Sequence, residues 1–353
     1  MSDPTAVTTT STATPATTPV AGTRPLPARL PLRALYPAKY RAAHGDEITA
    51  VFAEVVQDAE LGTGLREWAA LAAHALRLRT RLSSADPVGR IAAGAAPFVL
   101  AGGAGLSAVH LLLGFIHPDF PYGWGNPVRA AAGLLQTGPW LLALLCAGLG
   151  RWSAARALVV VGTLGRLAIV LAFHHVHSGP AWAQYHGLLG FWTTLGALLL
   201  VAPPDGVDLS RRGRSGVALA AIAVAVPLCT LLVLWQVPRP SRPDAFFDLA
   251  FSPTLERLTD DSSHWPAAVL SLALLLHLGA RRPDRLRAAG IALAALPWTV
   301  LVSPPFSEQP AFDSRELLHN TVVVLGLLGG ATLLAAVSRT YWRTRPVEPA
   351  GLV

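Results

Sequence analysis

The sequence predicts an all-α fold, namely a polytopic membrane helix bundle of about eight transmembrane helices behind a short cytoplasmic helical prefix. Three observations predict it: eight long hydrophobic stretches, an uneven distribution of arginines between the connectors, and a composition unlike that of a soluble domain. The 353 residues are 52% apolar and 14% charged, and the mean hydropathy is +0.45. A water-soluble domain of this length would carry more charge on its surface.

The hydrophobic stretches fill the chain from about residue 91 to residue 338. A helix of roughly 20 apolar residues matches the ~30 Å hydrocarbon layer of a bilayer, where a helix satisfies its own backbone groups. The predicted spans are residues 91–115, 128–149, 155–174, 184–203, 216–237, 265–280, 285–303 and 318–338. Four of these spans contain a proline and are therefore expected to bend: the prolines are Pro97, Pro139, Pro227 and Pro297.

The arginines in the connectors predict the orientation, because Lys and Arg resist translocation and stay in the cytoplasm. One set of connectors and the C-terminal tail together contain Arg151, Arg156, Arg211, Arg212, Arg214, Arg281, Arg282, Arg285, Arg287, Arg339, Arg343 and Arg345. The opposite connectors contain only Arg239, Arg242, Arg257 and Arg315, but they are rich in acidic residues. Both termini are therefore predicted to lie in the cytoplasm, with the chain in the inner or plasma membrane of the cell.

The chain is predicted to have four parts. Residues 1–31 are a Thr/Ala/Pro-rich tail with too few large apolar side chains to fold. Residues 32–88 form an amphipathic helical prefix, 89–339 form the transmembrane domain, and 340–353 form a cytoplasmic tail. In the prefix, two apolar stripes at helical spacing, one around Phe52 and one around Trp68, predict two amphipathic helices. We expect residues 35–82 to contact membrane lipids or a membrane or cytoplasmic protein partner.

The prefix also carries a resemblance. Its segment LRALYPAKYRAAHGDEITAVFAEVVQDA, residues 32–59, resembles the N-terminal element of actinobacterial multi-pass membrane proteins, and it is similar to the prefix of PadR-associated permease-like proteins. The matching positions are Leu35, Tyr36, Pro37, Tyr40, Arg41, Gly45, Asp46 and Glu47. The resemblance covers about 50 residues, and it implies a membrane location more than an activity.

Arg166 is the leading candidate for a binding residue, because it falls near the middle of the third predicted span. An arginine at that depth costs about 2.5–3.5 kcal/mol on insertion scales, so an ionisable residue there is a functional candidate by default. Thr163 and Thr194 are the hydroxyl groups expected near it. Two interpretations remain open: Arg166 binds an anionic ligand or headgroup, or it is a structural arginine bonded to carbonyls at a helix break.

The histidines supply an alternative site. Most of them fall on the predicted outer side, and within AFHHVHSGP the residues His174 and His177 are one helical turn apart. With His186 they are the candidate ligands of a transition metal or of haem, since neutral imidazole binds both. The other interpretation is that these histidines are interfacial residues beside tryptophans.

Signatures of other functions are missing from the sequence. It contains no GxSxG elbow, P-loop, dinucleotide fingerprint or HExxH motif. Its basic residues border the predicted spans and form no separate basic domain, which argues against nucleic acid as a partner. The segment DAFFDLAF, residues 244–251, is too short to span and is expected to lie in the interface. The sequence therefore favours a non-enzymatic membrane protein that handles or senses an envelope, lipid or small amphiphilic molecule, with no cofactor. The alternative is a metal- or haem-binding membrane protein, an enzyme included.

Overall fold

The computed structural model describes residues 35–57, 61–116, 125–174, 181–235, 261–280, 282–300 and 314–344. Within these residues the fold is all-helical, with ten α-helices, three short 3-10 turns and no strand. The helices are α1 Ala38–Gln57, α2 Leu61–Arg79, α3 Pro87–Ile116, α4 Pro127–Gly148, α5 Trp152–His174, α6 Ala181–Val201, α7 Arg211–Trp235, α8 Trp265–Gly279, α9 Arg285–Ala295 and α10 Ser314–Thr344. The chain divides into two compact units, Met1–Arg79 and Thr80–Val353. The predicted N-terminal tail, the segment 244–251 and residues 345–353 lie outside the described residues.

The first unit consists of α1 and α2, as the two apolar stripes predict. Phe52 is buried and packs against Leu35, Trp68 and Leu71. The ring of Tyr36, which precedes α1, stacks on that of Tyr40, with centroids 5.3 Å apart. The apolar stripes are only partly covered: several of their residues remain largely exposed, namely Val51, Val55, Leu65 and Leu76.

Helix α3 is the centre of the second unit, and helices α4, α6, α7 and α9 pack around it. Small residues allow this close packing. A Cβ atom added at Gly103 would lie 2.5 Å from two ring carbons of Trp140 on α4. One added at Gly290 on α9 would lie 2.5 Å from the carbonyl oxygen of Ile91. Neither position has room for a methyl group. Gly103 thus lets the Trp140 ring pack on α3, and Gly290 lets the backbones of α3 and α9 approach each other closely.

All eight predicted spans contain helix, and five helices are long and apolar enough to cross a membrane. These five segments are Pro87–Ile116, Pro127–Gly148, Trp152–Ile169, Arg211–Leu234 and Leu317–Tyr341. Two shorter apolar segments, Leu189–Val201 and Trp265–Gly279, belong to α6 and α8. The helix content and these apolar segments agree with a multi-pass protein embedded in a membrane.

The seventh predicted span differs from the expectation of a continuous helix over residues 285–303. Helix α9 ends at Ala295, and a 3-10 turn follows over Leu296–Thr299. Pro297 contributes to this end, because proline has no N–H to donate to the carbonyl of Leu293, four residues earlier. An 11-residue helix is about 16 Å long, which is too short to cross the hydrocarbon layer alone. The other three prolines predicted to lie within spans, Pro97, Pro139 and Pro227, do lie inside α-helices.

Helices α8 and α10 run in the same direction. Near the starts of these helices the rings of His264 and His319 meet edge to face, with an interplanar angle of 62° and centroids 5.8 Å apart. At their last turns the guanidinium of Arg339 donates a hydrogen bond to the carbonyl of Leu278. Two parallel neighbours require the chain between them to return from one end to the other. The described part of the chain between them begins with α9.

The arginine-rich connectors meet at one end of the second unit. Three arginines of this end each donate a hydrogen bond to a carbonyl in the last turn of a neighbouring helix. The bonds run from Arg156 to Leu200, from Arg214 to Gly148 and from Arg339 to Leu278. A cation at a helix C-terminus is favourable, because the carbonyls there lack partners and the helix dipole is negative. These arginines therefore fix the ends of α4, α6 and α8, besides any part that they play in orientation.

Candidate functional site

Arg166 lies on α5 where that helix contacts α4 and α6, about 21 Å along the helix axis from Trp152. The side chain is only 4% exposed. Its guanidinium carbon lies 3.7 Å from the ring centroid of Trp192 on α6, a distance at which a cation is attracted to the face of an indole. Two guanidinium nitrogens also donate to Gln136 on α4, one to the side-chain oxygen at 3.3 Å and one to the backbone carbonyl at 3.4 Å.

These contacts of Arg166 are with neutral groups. Both acceptor atoms of Gln136 are neutral amide oxygens, and the two hydrogen bonds are longer than the 2.7–2.9 Å typical of an arginine paired with an anion. The ring of Trp192 is neutral as well. Because Trp192 is fully buried, its ring holds the guanidinium in one orientation. An anionic oxygen would interact with the guanidinium more strongly than the neutral groups of Trp192 and Gln136 do.

Further hydrogen-bond donors lie on the helices that contact α5. Trp140 lies one turn after Gln136 on α4, and its ring contacts that of Trp192 with centroids 5.0 Å apart. The side-chain amide nitrogen of Gln136 and the indole nitrogens of Trp140 and Trp192 are all shielded from solvent. Each lacks an acceptor among the described residues. Because each of these side chains carries a hydrogen-bond donor, we call Gln136, Trp140, Arg166 and Trp192 the donor cluster.

Of the two predicted hydroxyl residues, Thr163 lies on the same helix as Arg166 and Thr194 lies on the neighbouring α6. Thr163 is one turn before Arg166 on α5 and packs against α6, where a Cβ atom added at Gly196 would lie 2.7 Å from the threonine hydroxyl. That hydroxyl donates to the carbonyl of Val159 at 2.8 Å. Thr194 is exposed and donates to the carbonyl of Gly190 at 2.7 Å. It lies about 200° around α6 from Trp192, since successive residues turn by about 100°, so it is not part of the cluster.

The predicted metal ligands fall outside what the structure describes. His177 lies outside the described residues, and so do the side chains of His174 and His186. Among the residues that are described, no group of three or more His, Cys, Asp or Glu side chains is placed to hold a metal ion. The histidine rings that the structure does bring together are those of His264 and His319.

At the arginine-rich end, one ion pair joins α3 to the N-cap of α9 and another joins α9 to the connector before α7. Arg90 pairs with Asp284 at 3.0 Å, and Arg287 pairs with Asp208 at 3.2 Å. The hydrogen bonds from Ser210, with a further contribution from Arg287, lower the pKa of Asp208 below its usual value despite partial burial. Burial acts to raise the pKa of Asp284, but hydrogen bonds from the backbone at the start of α9 and the charge of Arg90 outweigh it, so that pKa is lowered too.

The first unit contains a groove between α1 and α2. Its lining combines apolar residues with Tyr40, His44, Glu47 and Glu67. His44 and Glu47 are 3.5 Å apart, and both are exposed. The groove falls within residues 35–82, the part of the chain expected to contact a partner.

Sequence reasoning found Arg166 but missed the rest of the donor cluster. Gln136 is the one amide side chain in the predicted span 128–149, and a polar side chain in an apolar span is a sign of a buried polar contact. Trp140 and Trp192 stand inside their spans, not at the ends where tryptophan favours the membrane interface. Tryptophans in such positions, with Gln136 one turn from Trp140, are the pattern that would have indicated a buried polar site.

Comparison with known proteins supplies no family for the chain. No family model, no curated protein and no solved structure matches it.

Proposed function

We propose that this chain is a multi-pass protein of the inner or plasma membrane that crosses the bilayer eight times, with both termini in the cytoplasm. The five long apolar helices support the membrane location. The parallel arrangement of α8 and α10 supports a return crossing by residues 280–313, which begins with α9 and continues into residues outside the described part. The arginine-rich end supports a cytoplasmic position for the termini, since arginines remain on the cytoplasmic side.

Labelling of single cysteines tests this topology. Cys146 and Cys229 are first replaced by serine, and then Arg212→Cys and His319→Cys are made separately. In intact cells, a membrane-impermeant maleimide should label the cysteine at 319 and not the one at 212, which reacts only after permeabilisation. Labelling of both positions from the same side would contradict the eight-crossing arrangement.

Within this bundle, the chain handles or senses a lipid or a small amphiphilic molecule without chemical conversion, and Arg166 is its polar anchor. The observation that carries this proposal is the buried guanidinium stacked on Trp192 and bonded to neutral oxygens of Gln136. An arginine inside an apolar bundle is costly to bury and is a functional candidate by default, and here Trp192 and Gln136 hold it in one orientation. The groove of the first unit is the surface that we assign to a membrane or cytoplasmic protein partner.

The test uses the full-length protein in maltoside micelles and measures its Tm with and without added phosphatidylglycerol, oleate or dioleoylglycerol. The wild-type protein should be stabilised by at least one of these amphiphiles. Arg166→Gln should lose that stabilisation. Arg212→Gln is the matched control, because it removes the same charge at an exposed position. Equal stabilisation of Arg166→Gln and the wild type would contradict the proposal.

The metal-binding alternative remains a separate candidate for the outer histidines His174, His177 and His186. It predicts a stoichiometric transition metal or a Soret absorption band in the purified protein. Elemental analysis and an optical spectrum measure these directly, and a protein free of both would count against it.

A further inference from the structure

We infer that the groove between α1 and α2 binds a basic amphipathic helix of a cytoplasmic protein. This inference rests on the proposed function, which assigns the groove to a protein partner, and it specifies the chemistry of that partner. The described residues that line the groove are Tyr40, His44, Glu47, Ile48, Val51, Phe52, Val55, Glu67 and Leu71. The features that a partner would recognise are therefore an apolar stripe and two carboxylates.

The apolar stripe runs along α1. Ile48, Val51 and Val55 are three and four residues apart, so they share a face of the helix, and they extend over about 10 Å. Val51 is 54% exposed and Val55 is 46% exposed, whereas Phe52 beside them is only 5% exposed. Phe52 thus belongs to the buried core of the first unit, while the described residues of that unit leave the stripe uncovered.

The two carboxylates set the sign of the partner's charge. Glu67 is half-buried in the wall of the groove, and no described residue forms an ion pair with it. Glu47 has the imidazole of His44 at 3.5 Å, which carries a charge only when it is protonated. None of the Lys and Arg residues of α1 and α2 is among the described residues that line the groove. A cationic side chain would therefore be attracted to both carboxylates.

The same carboxylates favour a protein partner over the bilayer. The cytoplasmic leaflet carries anionic headgroups, and helices that lie on it place Lys and Arg beside their apolar face. Glu47 and Glu67 would be repelled by such headgroups. A helix with large apolar residues at positions i, i+3 or i+4 and i+7, flanked by Lys or Arg, complements both the stripe and the carboxylates.

The test measures the binding of two designed helical peptides to the full-length protein in maltoside micelles. Both peptides carry leucines at positions i, i+3, i+4 and i+7, and the remaining positions are lysines in one peptide and glutamates in the other. Fluorescence anisotropy of the labelled peptides gives the apparent Kd. We expect the lysine peptide to bind about tenfold or more tightly than the glutamate peptide, and added salt to weaken its binding. Equal affinity for the two peptides, or no binding of the lysine peptide, would overturn the inference.

Variants of the groove locate the binding. Glu47→Gln combined with Glu67→Gln should weaken binding of the lysine peptide about fivefold, and Val51→Ser should weaken it by a similar factor, because it removes apolar surface. The matched controls are Glu54→Gln and Leu76→Ser, since both residues are exposed on the same two helices and neither is among the described lining residues. The controls should bind like the wild type. Equal affinities of the groove variants and the controls would contradict the assignment.

Two further measurements test other occupants of the groove. A bimane fluorophore on Val51→Cys, with Cys146 and Cys229 replaced by serine, should shift its emission to shorter wavelength when the lysine peptide is added in maltoside. The same shift on transfer to phosphatidylglycerol nanodiscs without peptide would place the stripe on lipid and overturn the inference.

The chain's own residues 24–33, RPLPARLPLR, also combine arginines with leucines. Replacing Arg24, Arg29 and Arg33 together by glutamine should leave the affinity for the lysine peptide unchanged. An affinity about tenfold higher in this variant would assign the groove to that segment and overturn a separate partner.

The outcomes separate this inference from the amphiphile proposal. Arg166→Gln should bind the lysine peptide like the wild type, and the groove variants should keep the stabilisation by amphiphiles. If the lysine peptide does not bind while an amphiphile stabilises the protein through Arg166, only the inference about the groove is overturned. If the peptide binds in the groove while no amphiphile depends on Arg166, the groove assignment stands and the amphiphile proposal falls.

Discussion

The interaction of Arg166 with Trp192 makes a prediction that double-mutant analysis can check. The guanidinium carbon lies 3.7 Å from the indole centroid, and the two side chains are 4% and 0% exposed. A cation–π contact is worth about 0.5–1 kcal/mol at the surface and about 2 kcal/mol when desolvated. Because both partners are buried, we expect a coupling energy near the upper figure, about 2 kcal/mol.

The assay combines Arg166→Met and Trp192→Leu, singly and together. Each protein is unfolded by sodium dodecyl sulfate in mixed micelles, with far-UV circular dichroism as the signal. The coupling energy is the change in unfolding free energy of the double variant minus the sum of the changes of the two single variants. Trp298→Leu replaces Trp192→Leu in the control cycle. Trp298 is equally buried, but it packs on Phe191 at 4.9 Å, so its coupling to Arg166 should stay below about 0.5 kcal/mol. Equal coupling in the two cycles would refute the stacking argument.

Two further predictions concern packing and pH. Gly103→Ala should lower the free energy of unfolding by about 1–3 kcal/mol, because its Cβ atom would lie 2.5 Å from the ring of Trp140. Gly330→Ala is the control: nothing lies within 4 Å of its Cβ atom, so it should be nearly neutral in the same unfolding assay. The pKa of Asp208 is lowered in the folded protein, so its stabilising contribution is complete above the unfolded pKa of about 3.9 and is lost as the pH falls below that value. Because its pair with Arg287 is more than one third exposed, the contribution is at most about 1 kcal/mol. Asp208→Asn should therefore reduce the fall of Tm at acid pH, and an unchanged fall would contradict this assignment.

The sequence was sufficient to locate the helices, because each depends on a long apolar run that has few other ways to satisfy its backbone in a membrane. It was less able to predict their lengths. Helix α9 stops at Ala295, since Pro297 ends the helical hydrogen-bonding pattern although the residues around it are still apolar. Hydropathy alone does not predict where α9 ends.

The candidate site shows the same division. Arg166 could be singled out because a charge inside an apolar stretch is rare. Its partners could not, because Gln136 and Trp192 are 30 residues before it and 26 residues after it in the sequence, and only the packing of α4 and α6 on α5 brings them together. Thr194 has the right residue type and an unsuitable position, since it projects from the side of α6 away from Trp192. A depth estimate gives the level of a residue in the membrane but not the direction in which it faces.

An experimental density map of the full-length protein in a lipid nanodisc, at a resolution that shows side chains and headgroups, tests the central claim most directly. Our account predicts density for a lipid or small amphiphile whose polar group lies within about 3 Å of the Arg166 guanidinium. A guanidinium enclosed entirely by protein groups, with no ligand density beside it, would contradict it.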